Sequence, residues 1–184
     1  MSVAASAAVR LRDLAPGDLD EVARIDALHT GREKPAYWSR VFDEFLAGSG
    51  SVAKVGLAAE IEGGSGGKSM AAAQEVAAPG SGRAGARPLQ GGLVGYLLGE
   101  VRAFEFGSEP CGWVFAVGVD PACARQGIAS LLVAEACERF RSAGVATVRT
   151  MVRRDDIPVL SFFRRRGFEG GSFYQLELGL GVRT

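Results

Sequence analysis

Histidine is nearly absent from this 184-residue chain and cysteine is sparse. One histidine, His29, leaves no His-rich metal site and argues against a His-based catalytic triad, so no metal is expected. Its default place is a surface or a helix end. Three cysteines, Cys111, Cys123 and Cys137, make no disulfide framework and suit a reducing compartment. No apolar run approaches the roughly 20 residues of a membrane helix, so no membrane partner is expected. Formal net charge is zero, so nothing global demands nucleic acid or an anionic surface. The opening MSVAASAAVRLRD is Ala- and Ser-rich, but too short and too soon acidic for a convincing transit peptide. A cytoplasmic location is expected, with an organellar address left open.

What is present suits a single domain over residues 1–184. Hydrophobic residues make up 47% of the chain, enough to bury a core. The charge is uneven: residues 121–184 hold ten Arg and six acids, a net of +4, which the remainder balances with −4. A solvated surface of mixed charge explains this, and so does a site for a small polyanion.

Val9 to Asp13 reads as a short strand. In APGDLDEVARIDALH, Pro16 and Asp18 are helix-start residues, and Leu19, Val22, Ile25 and Leu28 recur every three positions. PAYWSRVFDEFLAG predicts a second helix with Trp38, Val41, Phe42 and Phe45 on one face and Gly48 as its stop. SVAKVGLAAEIE and GLVGYLLGEV predict two strands. Residues 63–91 between them are rich in Gly, Ala and Ser and lack apolar periodicity, which predicts a disordered insertion. Within it, Gly67-Lys68-Ser69 matches the end of a Walker phosphate loop. The first glycine of that motif should stand at position 62, which is Glu62, so a linker is the better reading.

After Gly91 the texture changes. GWVFAVGVD predicts an apolar strand ending at Asp120-Pro121. PACARQGIASLLVAEACERFRSAG predicts a long helix, with Ile128, Leu132, Ala136 and Phe140 repeating every four residues and Gly144 as its stop. VATVRTMV predicts another strand. DDIPVLSFFRRRG predicts a compact helix capped by Asp155 or Asp156, with Pro158 in its first turn and Gly167 at its close. FEGGSFYQLELGL predicts a final strand or hairpin. The class is α/β (α+β by some schemes), a mixed central sheet of about six to seven strands flanked by about four helices, with at least one parallel crossover.

The junction Ala124-Arg125-Gln126-Gly127-Ile128-Ala129-Ser130 carries chemistry. It opens a helix directly after a strand, where the first amides lack internal acceptors and the peptide dipoles favour an anion. Gly127 and Ala129 are small, so a diphosphate can approach the backbone, and Arg125 adds a full charge. An ordinary helix start packed on a sheet is the alternative.

Together, VGVDPACARQGIASLLVAEACERF and, some 30 residues later, DDIPVLSFFRRRGF resemble the GNAT superfamily of acyl-CoA-dependent N-acyltransferases. The resemblance implies a GNAT-like fold and acetyl-CoA as acyl donor. It implies that the backbones of Val117, Gly118 and Val119 pair with the pantetheine arm, and that the amides of Arg125, Gln126, Gly127, Ile128, Ala129 and Ser130 cradle the pyrophosphate. It places residues 155–163, with Asp156 and Phe163, along the far side of the pantetheine. Arg164 and Arg165 either approach the adenosine 3′-phosphate or form a solvated helix face. Three positions depart from the family pattern. The opening Arg or Gln of the first signature falls on Ala124. The usual Asn falls on Asp156. The usual Tyr, whose hydroxyl commonly protonates the departing thiolate, falls on Phe163.

The implied reaction is direct attack of an amine on the thioester, with the Val119 N–H meeting the oxyanion. A lysine-type amine titrates near pKa 10.4, so a general base helps at neutral pH. Glu105 and Glu109 precede the 113–119 strand and Glu100 closes the one before; each either acts through water or is a plain surface carboxylate. Tyr174 is the phenol placed to reach the sulfur from another direction. The acceptor side is expected at residues 29–46, with His29, Arg32 and Tyr37 as contacts, while Trp38 reads better as a core anchor. The acceptor is a protein, a peptide or a small amine. A catalytically weak acyl-CoA sensor or scaffold is the competing class, kept alive by Phe163. A homodimer is compatible with this reading.

Overall fold

The computed structural model describes residues 8–46, 53–61 and 92–181. The expected insertion at 63–91 and the stop at Gly48 lie outside the described residues. The chain divides into two compact units, Met1–Thr150 and Met151–Thr184.

The first unit holds strands β1 (Val9–Asp13), β2 (Lys54–Ile61), β3 (Leu93–Arg102), β4 (Cys111–Val119) and β5 (Val148–Thr150), with helices α1 (Leu19–Thr30), α2 (Pro35–Leu46) and α3 (Ile128–Ser142). Its five-stranded sheet runs β1-β2-β3-β4-β5. The first three pairings are antiparallel and β4–β5 is parallel. The parallel step follows from the β4-α3-β5 crossover, which a hairpin cannot replace.

β3 is the sheet's buried spine. Residues 93–99 are all buried, which explains why its sequence is an apolar run instead of an alternation. Its Tyr96 and Leu98 join Val22 and Ile25 of α1 and Trp38 and Phe42 of α2 in one apolar cluster. Leu28 does not join them and is 54% exposed. A strict three-residue step lags the helical repeat of about 3.6 residues, so the fourth position rotates out of the stripe.

The other side of the sheet receives α3. Ile128, Leu132, Val133, Ala136 and Phe140 are buried, as their spacing predicts. Glycines in the strands make room for them. A Cβ at Gly95 would meet Ile128 and Leu132, and one at Gly99 would meet the Phe140 ring. At Gly112 the clash is severe, because the new carbon would stand 2.6 Å from Cγ of Phe140.

The second unit contains α4 (Ile157–Arg164). Asp156 caps it by accepting the Val159 N–H at 3.1 Å, and Pro158 stands in its first turn. Gly167, at φ +82°, ends the turn that follows. Phe163 is buried between the rings of Phe162 and Phe168, each centroid 5.1 Å away.

The final strand or hairpin expected over 168–180 is not formed, so the described sheet has five strands instead of six or seven. Leu176, Leu178 and Leu180 keep the alternating spacing of a strand yet are exposed. Alternation sets which face a residue occupies only after a ladder partner has taken up the main-chain groups, and spacing alone supplies no partner.

Gly112→Ala is expected to destabilise the protein by about 1–3 kcal/mol through overpacking, measured as a lower urea midpoint. Adding Phe140→Leu should recover part of that loss. Additive effects of the two changes would contradict the contact.

Candidate active site

Main-chain bookkeeping where β4 ends defines the site. Asp120 donates its N–H to the Val94 carbonyl at 2.8 Å, and Gly118 stands opposite Tyr96. In an antiparallel ladder alternate residues face the partner. Val117 and Val119 therefore turn their N–H and C=O groups away from β3, toward the β5 side. β5 pairs only with Gly112–Val114. A register irregularity opposite Leu98 and Gly99 leaves Phe115 as the extra residue between Val114 and Ala116. Thr150 closes the paired part by donating its hydroxyl to the Val114 carbonyl at 3.0 Å. Beyond that point no strand among the described residues pairs with the outward side of β4, where only the Val119 carbonyl meets a side chain, His29.

The chain then turns into α3. Asp120 accepts the Ala122 N–H at 2.8 Å, and Pro121–Cys123 forms a 3-10 turn. Arg125 and Gly127 both adopt left-handed backbone, with φ +64° and +80°. α3 begins at Ile128, four residues later than the segment beginning at Ala124 suggests, with Gly127 as its N-cap. The Ser130 N–H is spent on the Gly127 carbonyl at 2.9 Å. The amides of residues 125–129 have no acceptor among the described residues. Alternating left-handed residues gather successive N–H groups into a concave nest suited to an anion. Arg125, Gln126 and Gly127 are exposed, so the nest is open to a ligand. Holding a non-glycine residue left-handed costs about 1 kcal/mol or more, which the surrounding turn must offset.

Two residues that the sequence reading did not single out brace this turn. The Arg24 guanidinium on α1 reaches Asp120 at 2.7 Å and Glu21 at 2.9 Å. Burial works to raise the Asp120 pKa, but the Ala122 N–H and Arg24 outweigh it and hold the carboxyl below its ordinary range. Asp120 was legible only as the end of a strand. Arg24, 96 positions away in sequence, carried no signal.

His29 stands in the last turn of α1, which Gly31 ends at φ +67°. Its Nε2 lies 2.7 Å from the Val119 carbonyl. Arg32 and Tyr37 are exposed in the connection and at the start of α2, and Tyr37 meets the Trp38 ring edge-on at 5.2 Å. Trp38 itself is buried, with Nε1 donating to Asp26 at 3.0 Å.

The structure thus brings His29, Val119 and the 120–130 turn together within one unit. Glu105 lies in a short 3-10 turn, Glu105–Gly107, in the β3–β4 connection. Glu100 is ion-paired with Arg102 at 3.0 Å, and Glu109 is exposed. Tyr174, Asp156 and Phe163 belong to the second unit. Tyr174 is 89% exposed there, the Asp156 carboxylate serves as a helix cap, and Phe163 is a core ring. Among the other phenols, burial pushes Tyr96 up, away from proton donation at neutral pH. Tyr37 is 41% exposed. Among the described residues no group of His, Cys, Asp and Glu is arranged to hold a metal. No described helix is long and apolar enough to cross a membrane.

Because the Asp120 carboxyl is held low, its contribution is complete above the ordinary carboxylate range and fades as pH falls through its lowered value. Asp120→Asn is expected to cost about 1–3 kcal/mol at pH 7. The gap between variant and parent in thermal midpoint should close below about pH 4. A gap that persists unchanged at low pH would show that the ionised form contributes nothing.

The family model for the Acetyltransferase (GNAT) family matches residues 68–168, more than half of the chain. Over 83 residues the chain is 31% identical to a mycothiol acetyltransferase of Saccharomonospora viridis, a match covering 44% of this chain and 27% of that protein. A transcriptional regulator from Bacillus halodurans superposes with a TM-score of 0.64 at 21% identity, covering 94% of this chain and 100% of its own. An aminoglycoside N-acetyltransferase in complex with CoA gives a TM-score of 0.67 at 11% identity, covering 94% of this chain and 95% of that one. The solved structures share the fold, and by the family model the chain belongs to the GNAT acetyltransferase family.

Proposed function

We propose that the protein moves an acetyl group from acetyl-CoA to an amine by direct attack on the thioester. The observation that carries this reading is the run of amides from Arg125 to Ala129 without an acceptor among the described residues, which follows the outward-facing N–H groups of Val117 and Val119. The nest suits a pyrophosphate and the edge suits the amide-bearing pantetheine arm. The CoA held by a neighbour of the same fold supports this assignment.

The residues divide the work in a simple way. The 125–129 amides bind the diphosphate, with Arg125 adding charge. Val119 aligns the arm, and the Val117 N–H, farther along β4 from the nest, meets the charge that develops on the thioester oxygen in place of the Val119 N–H expected from the sequence. Holding amine and thioester together supplies much of the acceleration. A thiol with an ordinary pKa near 8.5 leaves with little help at neutral pH, so a phenylalanine at 163 does not prevent turnover. On the acceptor side, His29, Arg32 and Tyr37 present polar and aromatic groups suited to a small polar amine. The acetyl transfer named for the mycothiol and aminoglycoside relatives supports a small-molecule acceptor over a protein one.

A second reading is an acyl-CoA sensor, which the buried phenyl ring of Phe163 favours. Three measurements separate the two. Calorimetry of the purified chain should show acetyl-CoA binding, and no binding at millimolar cofactor would remove both readings. Gly127→Ala, with no steric obstacle but a strained φ of +80°, should weaken that binding about tenfold, the equivalent of about 1.4 kcal/mol. Phe163→Tyr should change the rate only modestly, and turnover confined to that variant would favour the sensor.

A further inference from the structure

In the reaction proposed above, the direction of the donor fixes where the acceptor must stand. The nest lies just past the end of β4, and the arm runs back along Val119 to Val117. The acyl end therefore points along β4 toward Phe115 and Trp113, away from the nest. A strand advances about 3.3 Å per residue, so the main chain at Phe115 lies within about 7 Å of Val117 and that at Trp113 within about 13 Å.

The two faces of the sheet differ at this level. On the α3 face Val114 is buried, and Phe140 fills the space over Gly99 and Gly112. That face has no room for a ligand. On the other face the register places Trp113 opposite Glu100 and Ala116 opposite Leu98. Glu100 and Leu98 alternate with Tyr96, which packs on α1 and α2. The extra residue, Phe115, is held on this same face, where its ring meets Phe45 of α2 edge-on at 6.1 Å. Going back from Val117, the α2 face of β4 thus presents one small side chain, Ala116, and then two rings. Both rings are only partly buried. The small residue gives access to the thioester carbon, and the rings make an apolar floor beyond it.

We infer that the acceptor is a primary amine on a short arm from a flat apolar ring, and that Phe115 and Trp113 seat this ring. The inference rests on the acetyl-transfer reading and narrows its small-amine class. Rings meet favourably edge-to-face or offset at about 4.5–7 Å, the geometry that Phe45 and Phe115 already share. The charges at the rim point the same way. Arg102 stacks on Trp113 at 4.6 Å and pairs with Glu100, and the Lys54 ammonium lies 5.6 Å over the Phe45 ring. Two cations and one carboxylate leave the rim net positive, which disfavours a polycation and leaves the ring to hold a monoamine.

The test uses the full chain with acetyl-CoA and four amines: phenethylamine, 4-phenylbutylamine, ring-free butylamine and the polycation sisomicin. For the parent, kcat/KM with phenethylamine should exceed that with butylamine by about tenfold or more, the discrimination an apolar seat gives for a missing group. Phe115→Leu should lower the phenethylamine value by about tenfold, mostly through KM, and the butylamine value by much less. Trp113→Leu is the independent check should Phe115→Leu not fold. It should cost 4-phenylbutylamine more than phenethylamine, because the longer arm carries its ring farther along β4. Equal losses on ringed and ring-free amines, or a parent that prefers butylamine or sisomicin, would overturn the seat and leave both rings as the rim of the core. Acetyl-CoA binding without turnover of either ringed amine would overturn it as well. Failure of the parent to bind acetyl-CoA would instead overturn the acetyl-transfer reading, and this assignment with it.

Discussion

The structure turns on where the β-ladder stops. β4 gives one edge to β3 along its length and the other to β5 only at Gly112–Val114. Past that point its outward groups meet no strand among the described residues, and the chain bends into α3 before a helix can take them up. Main-chain N–H and C=O groups must be satisfied somewhere, so a line of them left open at a sheet edge and a helix start is a template for a ligand that supplies the missing partners. A pantetheine diphosphate has the required order of groups: amides along the strand, then a doubly charged anion at the helix.

Such a template works only if its frame is stiff. Packing stiffens it from one side, where Phe140 fills the space left by Gly99 and Gly112 and ties α3 to β3 and β4. Electrostatics stiffens it from the other. Arg24 links α1 to Asp120, while Asp120 holds the turn that precedes the left-handed Arg125. Further along the sheet, Arg12 of β1 joins Asp18 and Glu60, both at 2.7 Å, so the start of α1 is fastened to β1 and β2. These partly buried pairs contribute mainly by fixing geometry, because their Coulombic gain is offset by desolvation.

The same network bears on catalysis. α1 is anchored to β1 and β2 at its start, its middle reaches Asp120 just past β4 through Arg24, and its last turn meets Val119 through His29. The helix assigned to the acceptor in the proposed reaction is thus registered against the strand assigned to the donor. Proximity catalysis needs that registry, since a misplacement of about 1 Å is enough to lose a large part of the rate.

Much of this was legible in the chain because the signals are local. The α3 stripe and the Asp156 cap with Pro158 depend on residues a few places apart, so spacing and backbone preference suffice to read them. The tail at 168–180 misled for the opposite reason: its alternation is local, but a strand is a pairing, and pairing is a property of two segments. Likewise the sequence could name His29 and Val119 separately but could not join them, nor pair Arg24 with Asp120. Those contacts exist because the sheet order brings the ends of α1 and β4 together, and only the folded chain, by balancing burial against unsatisfied polar groups, decides which distant residues meet.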